Sequence, residues 1–441
     1  MDFFSLSLNV LNIVSFGYVI ASFIFIFNLI IKKRLLFKLG FGITAFSFLL
    51  HTSGLIFRWI ASGWGQPPWS NLYESLVFFT WGIMLMYHIF YFISRVDFIA
   101  VFAVPLAMLG MGLAAFHPVK EIEPLVPALQ SYWIHIHVAC ATFAYGSFIV
   151  ATAFAIAYLL KKKVNLHYFE LGLAFITFVA VLALCYNSPL FTKLSYTMDL
   201  LTKDMAGNIL RIPQDFTREN SPPLRIHVPL AGIFLIITLS LAFVTTLLNI
   251  FGFVKNKVRC FSISSKLFFV MLLFLALSIG DITYQAVTFK PITTMNQSVY
   301  ISLSSNTFEL GILVLALFLC IFFLLIKTSE NYLDKVLPDA ETLFNINHKA
   351  ILLGFPIMAL LLTTGAIWAH YAWGRYWGWD PKEVWALITW LIYAIYLHTI
   401  HIKKMRGEIS ALISIIGFFS VLFTYLGVNL VISGLHSYAT G

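Results

Sequence analysis

The densest chemistry in this 441-residue chain lies in one short segment rich in tryptophan. From Trp373 to Trp385 the sequence reads WGRYWGWDPKEVW, with four Trp and one Tyr in thirteen residues. Large aromatic side chains stack against large flat ligands, and Arg375 and Lys382 can pair with anionic groups at the rim of such a ligand. The segment therefore predicts a site for a large, flat, anionic molecule, and a porphyrin with two propionates fits this description. The candidate stacking residues are Trp373, Trp377, Trp379 and Trp385.

Simpler explanations exist for the same residues. Trp and Tyr form interfacial belts in membrane proteins generally, and this alternative stays open for any single Trp. A belt alone requires neither this density nor the two glycines, which permit tight backbone turns. Asp380-Pro-Lys-Glu383 has the order of a helix N-cap, a first-turn Pro and a Glu at the third position. Capping is therefore favoured for Asp380, with ligand contact as the alternative.

Several histidines stand where they can ligate iron, because imidazole is a common iron ligand. His51 and His88 fall within apolar runs, and His398 follows Pro381 by 17 residues, about 25 Å along a helix. Ionisable residues inside a membrane are costly and indicate function by default. The alternative for a lone intramembrane histidine is a place in a packed polar network.

A second group of histidines is predicted to lie on the outer side of the membrane. His137 lies near the start of a predicted helix there, and His436 follows the last predicted helix. His135 and His137 are separated by about 200° on a helix, so both cannot ligate one iron. Helix geometry alone leaves the choice between these two open.

The composition places these residues in a membrane protein. The chain is 60% hydrophobic and 11% charged, whereas soluble domains are about 45–50% apolar and 25% charged. This excludes a disordered chain, a secreted disulfide scaffold and an ordinary soluble enzyme, and the four scattered cysteines indicate neither a disulfide framework nor a zinc site. Apolar runs of about 20 residues predict an all-α polytopic bundle of about twelve spans. The predicted spans are 12–31, 41–60, 72–93, 98–116, 134–160, 168–187, 229–253, 266–288, 308–326, 350–370, 383–402 and 410–433.

The distribution of basic residues predicts the orientation of the bundle. With both termini on the outer side, eighteen of the 28 Lys and Arg residues fall in inner loops, as the positive-inside rule requires. Five of the others lie in the long segment 188–228, which is predicted to form a small irregular outer cap. The first span ends at a Lys-Lys-Arg run rather than at a cleavage site, so we expect it to be retained.

At this point the chain resembles a known family. The run from Trp373 to His398 is similar to the tryptophan-rich WWD motif of haem-handling membrane proteins, in the form found in the CcsA/ResC family of system II cytochrome c biogenesis. Three other stretches resemble the same family. They are NLYES from Asn71, LVPALQSYWIHIHV from Leu125 and GVNLVISGLHSY from Gly427.

The resemblance implies a function and a set of site residues. Together with a CcsB/ResB-like partner, the chain would pass haem b from the cytoplasmic side to an outer site. There, acting together as a cytochrome c synthase, the two proteins would present it to the CXXCH thiols of apocytochrome c. The positions matching the outer axial ligands are His137 and His436, and His398 matches the intramembrane ligand. The resemblance thus favours His137 over His135 and a ligand role for His398. The aromatic loop would hold the haem.

The resemblance also predicts an organisation and leaves alternatives open. It covers 41–163 and 342–441, so 164–341 is expected to be an inserted block between an N-terminal part, 1–163, and a haem-handling core, 342–441. A second intramembrane histidine would come from the partner, or else from His88 or His51. The rival functions are a membrane haem or quinone oxidoreductase, a transporter of another flat anionic solute, and an assembly scaffold. Thiol-reducing thioredoxin-like proteins are possible further partners, nucleic acid is not expected, and a bacterial inner membrane is favoured over a thylakoid membrane.

Overall fold

Long helices dominate the computed structural model, which describes residues 2–64, 67–116, 120–122, 130–184, 189–203, 209–214, 223–294 and 297–428. The helices, in chain order, are α1 (Phe3–Ile31), α2 (Arg34–Ala61), α3 (Leu72–Ser94), α4 (Phe98–Phe116), α5 (Tyr132–Lys161), α6 (His167–Leu184), α7 (Leu190–Lys193), α8 (Pro229–Lys255), α9 (Val258–Thr288), α10 (Thr307–Val336), α11 (Ala340–Trp373), α12 (Pro381–Thr399) and α13 (Glu408–Leu422). A π-helical turn, Phe423–Gly427, continues α13.

These helices confirm the predicted polytopic membrane bundle. Eleven of those described are long and apolar enough to cross a membrane. The nineteen-residue helix α12 is not among the eleven, because Lys, Glu, Tyr and His residues lower its hydropathy. With α12 included, each of the twelve predicted spans overlaps one long helix. The chain is therefore an integral membrane protein.

The chain forms two compact units. The first comprises Met1–Ala115, Lys120–Val164 and Ser329–Gly441, and the second comprises Phe116–Val119 and Asn165–Thr328. In the first unit α5 packs against α3, α11 and α13, and α12 packs against α11 and α13. The middle of α5 is rich in Ala, Gly, Ser and Thr, and small residues let membrane helices approach closely.

A buried ion pair fixes the ends of α2 and α3 in the first unit. Arg58 Nε donates to Glu74 Oε1 at 2.6 Å, and both side chains are only 1% exposed. The other Glu74 oxygen accepts from the backbone and the hydroxyl of Ser70. Arg58 Nη2 also donates to the carbonyls of Lys120 and Glu121, so one guanidinium ties both helices to the segment before α5.

The second unit combines four long helices with short strands. Its cores draw on α6, α8, α9 and α10. Antiparallel ladders join β1 (Tyr196–Asp199) to β4 (Arg225–Val228), β2 (Leu201–Lys203) to β3 (Ile209–Arg211), and β5 (Ile292–Thr294) to β6 (Gln297–Val299). The expected irregular cap at 188–228 therefore contains four strands. Asp199 accepts from Arg225 Nε at 2.8 Å across the first ladder.

A carboxylate is buried among the helices of the second unit. Glu170 on α6 accepts hydrogen bonds from the hydroxyls of Ser264 and Ser265, at 2.5 and 2.7 Å. The amide of Asn249 on α8 lies beside it, and Lys327 Nζ on α10 is 3.9 Å away. A buried charge is tolerable only when it is paired and hydrogen-bonded, and this network links all four helices.

Candidate functional site

A cavity of about 230 Å³ lies in the first unit, where α5, α11 and the Trp-rich loop meet. It collects three of the predicted site residues, His137, Trp377 and Lys382. Both aromatic and polar side chains complete the wall, as is typical of a ligand site. The wall also includes Trp69, Ser75, Phe79, Leu361, Gly365, Trp368, Tyr376, Glu383, Ala386, Thr424 and Tyr425.

The imidazole of His137 is held in one orientation by α11. Its Nδ1 lies 3.0 Å from the carbonyl oxygen of Leu361. A carbonyl only accepts, so Nδ1 carries the proton and Nε2 of the neutral ring keeps its lone pair. The ring packs directly on Gly365, where an added Cβ would lie 2.8 Å from His137 Cε1. Metal-binding histidines commonly donate their other ring N–H to a backbone carbonyl in this way, which fixes the orientation of the ring.

His135 adopts the opposite arrangement. The indole N–H of Trp69 donates to His135 Nδ1 at 3.2 Å. The lone pair of Nδ1 is thus used, and the proton of neutral His135 resides on Nε2. Trp69 lines the cavity, whereas His135 is absent from its described lining. Hydrogen bonding therefore favours His137 as the candidate ligand, where helix geometry alone left both open.

The four candidate tryptophans occupy different positions around the cavity. Trp377 is in its wall, and Trp379 meets Trp377 edge-on at 6.0 Å while remaining 76% exposed. Trp373 contacts Trp368 at 5.5 Å, and Trp368 in turn lies 5.8 Å from the ring of His137. Trp385 is placed differently.

Trp385 packs on the π-helical turn. Its ring is 4.2 Å from that of Phe423, and it is absent from the described cavity lining. Thr424 and Tyr425, which follow Phe423 in the π-helical turn, do line the cavity. Tyr425 stacks on Phe79 at 4.6 Å, and its hydroxyl lies 3.1 Å from that of Ser75. π-helical turns often occur at functional sites, and here the turn places Thr424 and Tyr425 in the cavity wall.

Hydrogen bonds from the start of α12 shape the Trp-rich loop. Asp380 is buried and forms the predicted capping box with Glu383. Glu383 Oε2 also accepts from the backbone N–H of Gly378 at 2.8 Å and of Asp380 at 3.2 Å. Between these two residues, Trp379 has a φ of +55°. Positive φ is uncommon for a bulky side chain and recurs at functional sites.

The two predicted cations of the loop are placed differently. Lys382 lines the cavity, and burial lowers the pKa of its amine to about 8, although the nearby Asp380 carboxylate opposes this shift. Arg375 is exposed, and its guanidinium packs over Gly378. Lys382 is therefore the cation placed to meet an anionic group inside the cavity.

The intramembrane histidines do not meet at this cavity. His398 is exposed near the far end of α12. His51 is buried with its Nδ1 3.2 Å from the Tyr18 hydroxyl, and His88 is buried with its Nδ1 2.7 Å from the carbonyl of Met84. The ring of His88 packs on Phe48. His436, predicted as the second outer ligand, lies outside the described residues.

Several wall residues were not predicted from the sequence. Trp368 and Trp69 stand outside the thirteen-residue aromatic segment, and Gly365 and Tyr425 have no feature that marks them. Trp368 falls only five residues before Trp373, so the local density of tryptophan was the available signal. The others depend on which helices meet.

Comparisons with known proteins decide the family. The profile of the family described as "Cytochrome C assembly protein" matches residues 69–219 and 227–436. The chain belongs to this family. Among curated relatives, the cytochrome c biogenesis protein CcsA of Cyanophora paradoxa is 30% identical over 96% of this chain and 94% of its own. The CcsA proteins of Trichormus variabilis and a Picosynechococcus species are 30% and 29% identical, each over 86% of this chain and 82% of their own.

Membership of the cytochrome c assembly family gives the chain a role in cytochrome c biogenesis. The matched residues include most of 164–341, so the family match extends through the block that the sequence predicts to be an insertion. Outside the motifs quoted above, the described part of the match consists mainly of long apolar helices and the short strands of the second unit.

Proposed function

We propose that the cavity receives haem b as a transported substrate and presents it for covalent attachment to apocytochrome c. The observation that carries this proposal is the His137 imidazole, whose Nδ1 is engaged by Leu361 in a wall shared with Trp377 and Lys382. Neutral imidazole nitrogen ligates haem iron, indole rings stack on a porphyrin, and an ammonium pairs with a propionate.

In this proposal His436 supplies the second outer ligand. The cavity wall at Thr424 and Tyr425 precedes His436 by about a dozen residues, which is compatible with a ligand arriving from the end of the chain. The histidine of an apocytochrome CXXCH motif then displaces one axial ligand. Each Cys sulfur, as the reactive thiolate, bonds to a vinyl carbon, and the neighbouring vinyl carbon takes up the proton, so the addition needs no oxidant. The chain itself contributes mainly positioning.

His398 holds haem at the other end of α12 in the same proposal. Its exposure supports completion of that site by a CcsB/ResB-like partner, since His51 and His88 are buried elsewhere in the first unit. The proposed location is a bacterial inner membrane, where apocytochrome c and thiol-reducing thioredoxin-like proteins would act on the outer face.

Absorption spectroscopy of the purified protein tests the proposal, as isolated and after dithionite. We expect a Soret band with low-spin bis-His features that weakens in His137→Ala, His436→Ala and His398→Ala and recovers with added imidazole. His135→Ala is the matched control and should keep the band, because His135 is absent from the described lining of the cavity. Equal loss in His135→Ala and His137→Ala would contradict the assignment. Unimpaired holocytochrome formation in the His137→Ala/His436→Ala double variant would refute the function.

A further inference from the structure

His398 and the aromatic cavity lie on different sides of α12. Ala386 faces the cavity, and Tyr393, about two turns further along, continues that side of the helix into the buried interior. His398 is twelve residues beyond Ala386, which rotates it about 120° around the helix, and it is exposed. A haem held by His398 therefore lies away from the side of the helix that faces the cavity.

The interior beneath the cavity is filled in the described structure. Tyr393 is fully buried and stacks on Phe148 with 3.6 Å between ring centroids. Its ring also lies against Gly417, where an added Cβ would be 2.4 Å away. Tyr396 donates to Asn347 Oδ1 at 2.8 Å. A porphyrin moving through the bundle would have to separate these contacts.

Within the described part of the chain, the exposed side of α12 has none of these packed contacts. Leu391 precedes Ile395 by four residues, and Ile395 precedes His398 by three. All three therefore share one side of the helix, and all three are exposed. At the N-terminal end of the helix, exposed Trp379 touches Trp377, which lines the cavity. Exposed apolar side chains thus lie between His398 and the start of α12, where Trp379 and Trp377 join the exposed surface to the cavity wall.

We propose that haem moves from His398 to the cavity over the exposed side of α12, across Ile395 and Leu391, and enters past Trp379. The inference rests on the proposed function and adds a route to it. The porphyrin faces contact apolar side chains along the way, and its propionates reach Lys382 only at the cavity.

A bulky substitution on this route tests the inference in the full-length chain with its partner. In Ile395→Trp we expect the His398-dependent haem to persist and the His137-dependent haem to be lost. Each share of the haem absorbance is defined by repeating the spectra in the His137→Ala and His398→Ala backgrounds. Leu360→Trp on α11, at a position 55% exposed against 54% for Ile395, is the matched control and should change neither share. Haem added to purified Ile395→Trp should still fill the cavity, which shows that the site itself is intact.

Two results would overturn the route. A normal His137-dependent share in Ile395→Trp would show that haem travels elsewhere. Loss of the His398-dependent share would show that this side of α12 seats the partner rather than passing haem. If the unmodified chain has no His137-dependent haem, the proposed function itself fails, so the two failures are distinguishable.

Discussion

The contact between His137 and Gly365 sets the position of the candidate ligand. A Cβ at 365 would stand 2.8 Å from His137 Cε1 and 2.9 Å from Nδ1, so Gly365→Ala must push the ring away from the Leu361 carbonyl. Loss of the hydrogen-bond partner that orients a metal-binding histidine typically weakens metal binding by about 10–100-fold. We expect a loss of this size in haem titrations of Gly365→Ala. Gly112→Ala, where nothing lies within 4 Å of the added Cβ, is the control, and equal affinity in both variants would contradict the prediction.

The lowered pKa of Lys382 predicts a pH dependence at the same residue scale. Below its pKa of about 8 the amine is charged and attracts a propionate, and above that pH it becomes neutral. Haem affinity should therefore fall as pH rises from 7.5 to 9.5, by up to about tenfold per pH unit above 8. Lys382→Arg should remove the fall, because Arg stays charged, and Lys382→Met should be weak throughout. The same fall in Lys382→Arg as in the unmodified chain would exclude Lys382 as its cause.

At the scale of elements, Glu383 joins α12 to the Trp-rich loop. Its carboxylate accepts from the N–H groups of Gly378 and Asp380, on either side of Trp379. Glu383→Ala leaves both donors without this acceptor, which we expect to cost about 1–3 kcal/mol of stability and to weaken the His137-dependent Soret band. Glu383→Gln keeps one acceptor and should lose less. Thermal melting and absorption spectra of both variants test this prediction. A lowered melting temperature with an unchanged spectrum would show that haem binding does not depend on the contacts between Glu383 and the loop.

The elements differ in how well sequence predicts them. Apolar runs located each long helix, since crossing a bilayer requires about 20 such residues. The boundaries were less accurate: α11 runs over Ala340–Trp373 rather than 350–370, because its polar first turns stay helical without being apolar. The strands at 188–228 were missed, because strands of three or four residues have too few positions to show an alternating pattern.

The site also combines features that local sequence predicts with features that depend on contacts between distant residues. The Trp-rich motif and the capping box are local, and the sequence was sufficient to predict the cap at Asp380. The choice between His135 and His137 depends on Leu361 and Trp69, which are distant in the chain. Such choices are decided by tertiary contacts, so no spacing within one helix could have revealed them.

For the whole molecule, the remaining prediction is the direction in which the bundle crosses the membrane. If each of the twelve long helices of the described residues crosses the membrane, both termini lie on one side, and the excess of Lys and Arg in alternate loops predicts that this side is the outer one. Tyr376 in the Trp-rich loop is 59% exposed, and the Lys163 side chain between α5 and α6 is 68% exposed. In a cysteine-free background, a membrane-impermeant maleimide applied to intact cells should label Tyr376→Cys but label Lys163→Cys only after permeabilisation. Since both positions are similarly exposed, accessibility within the protein does not explain a difference. The reverse pattern would put the His137 cavity on the cytoplasmic side, where it could not present haem to an apocytochrome outside, and would refute the proposed direction of transport.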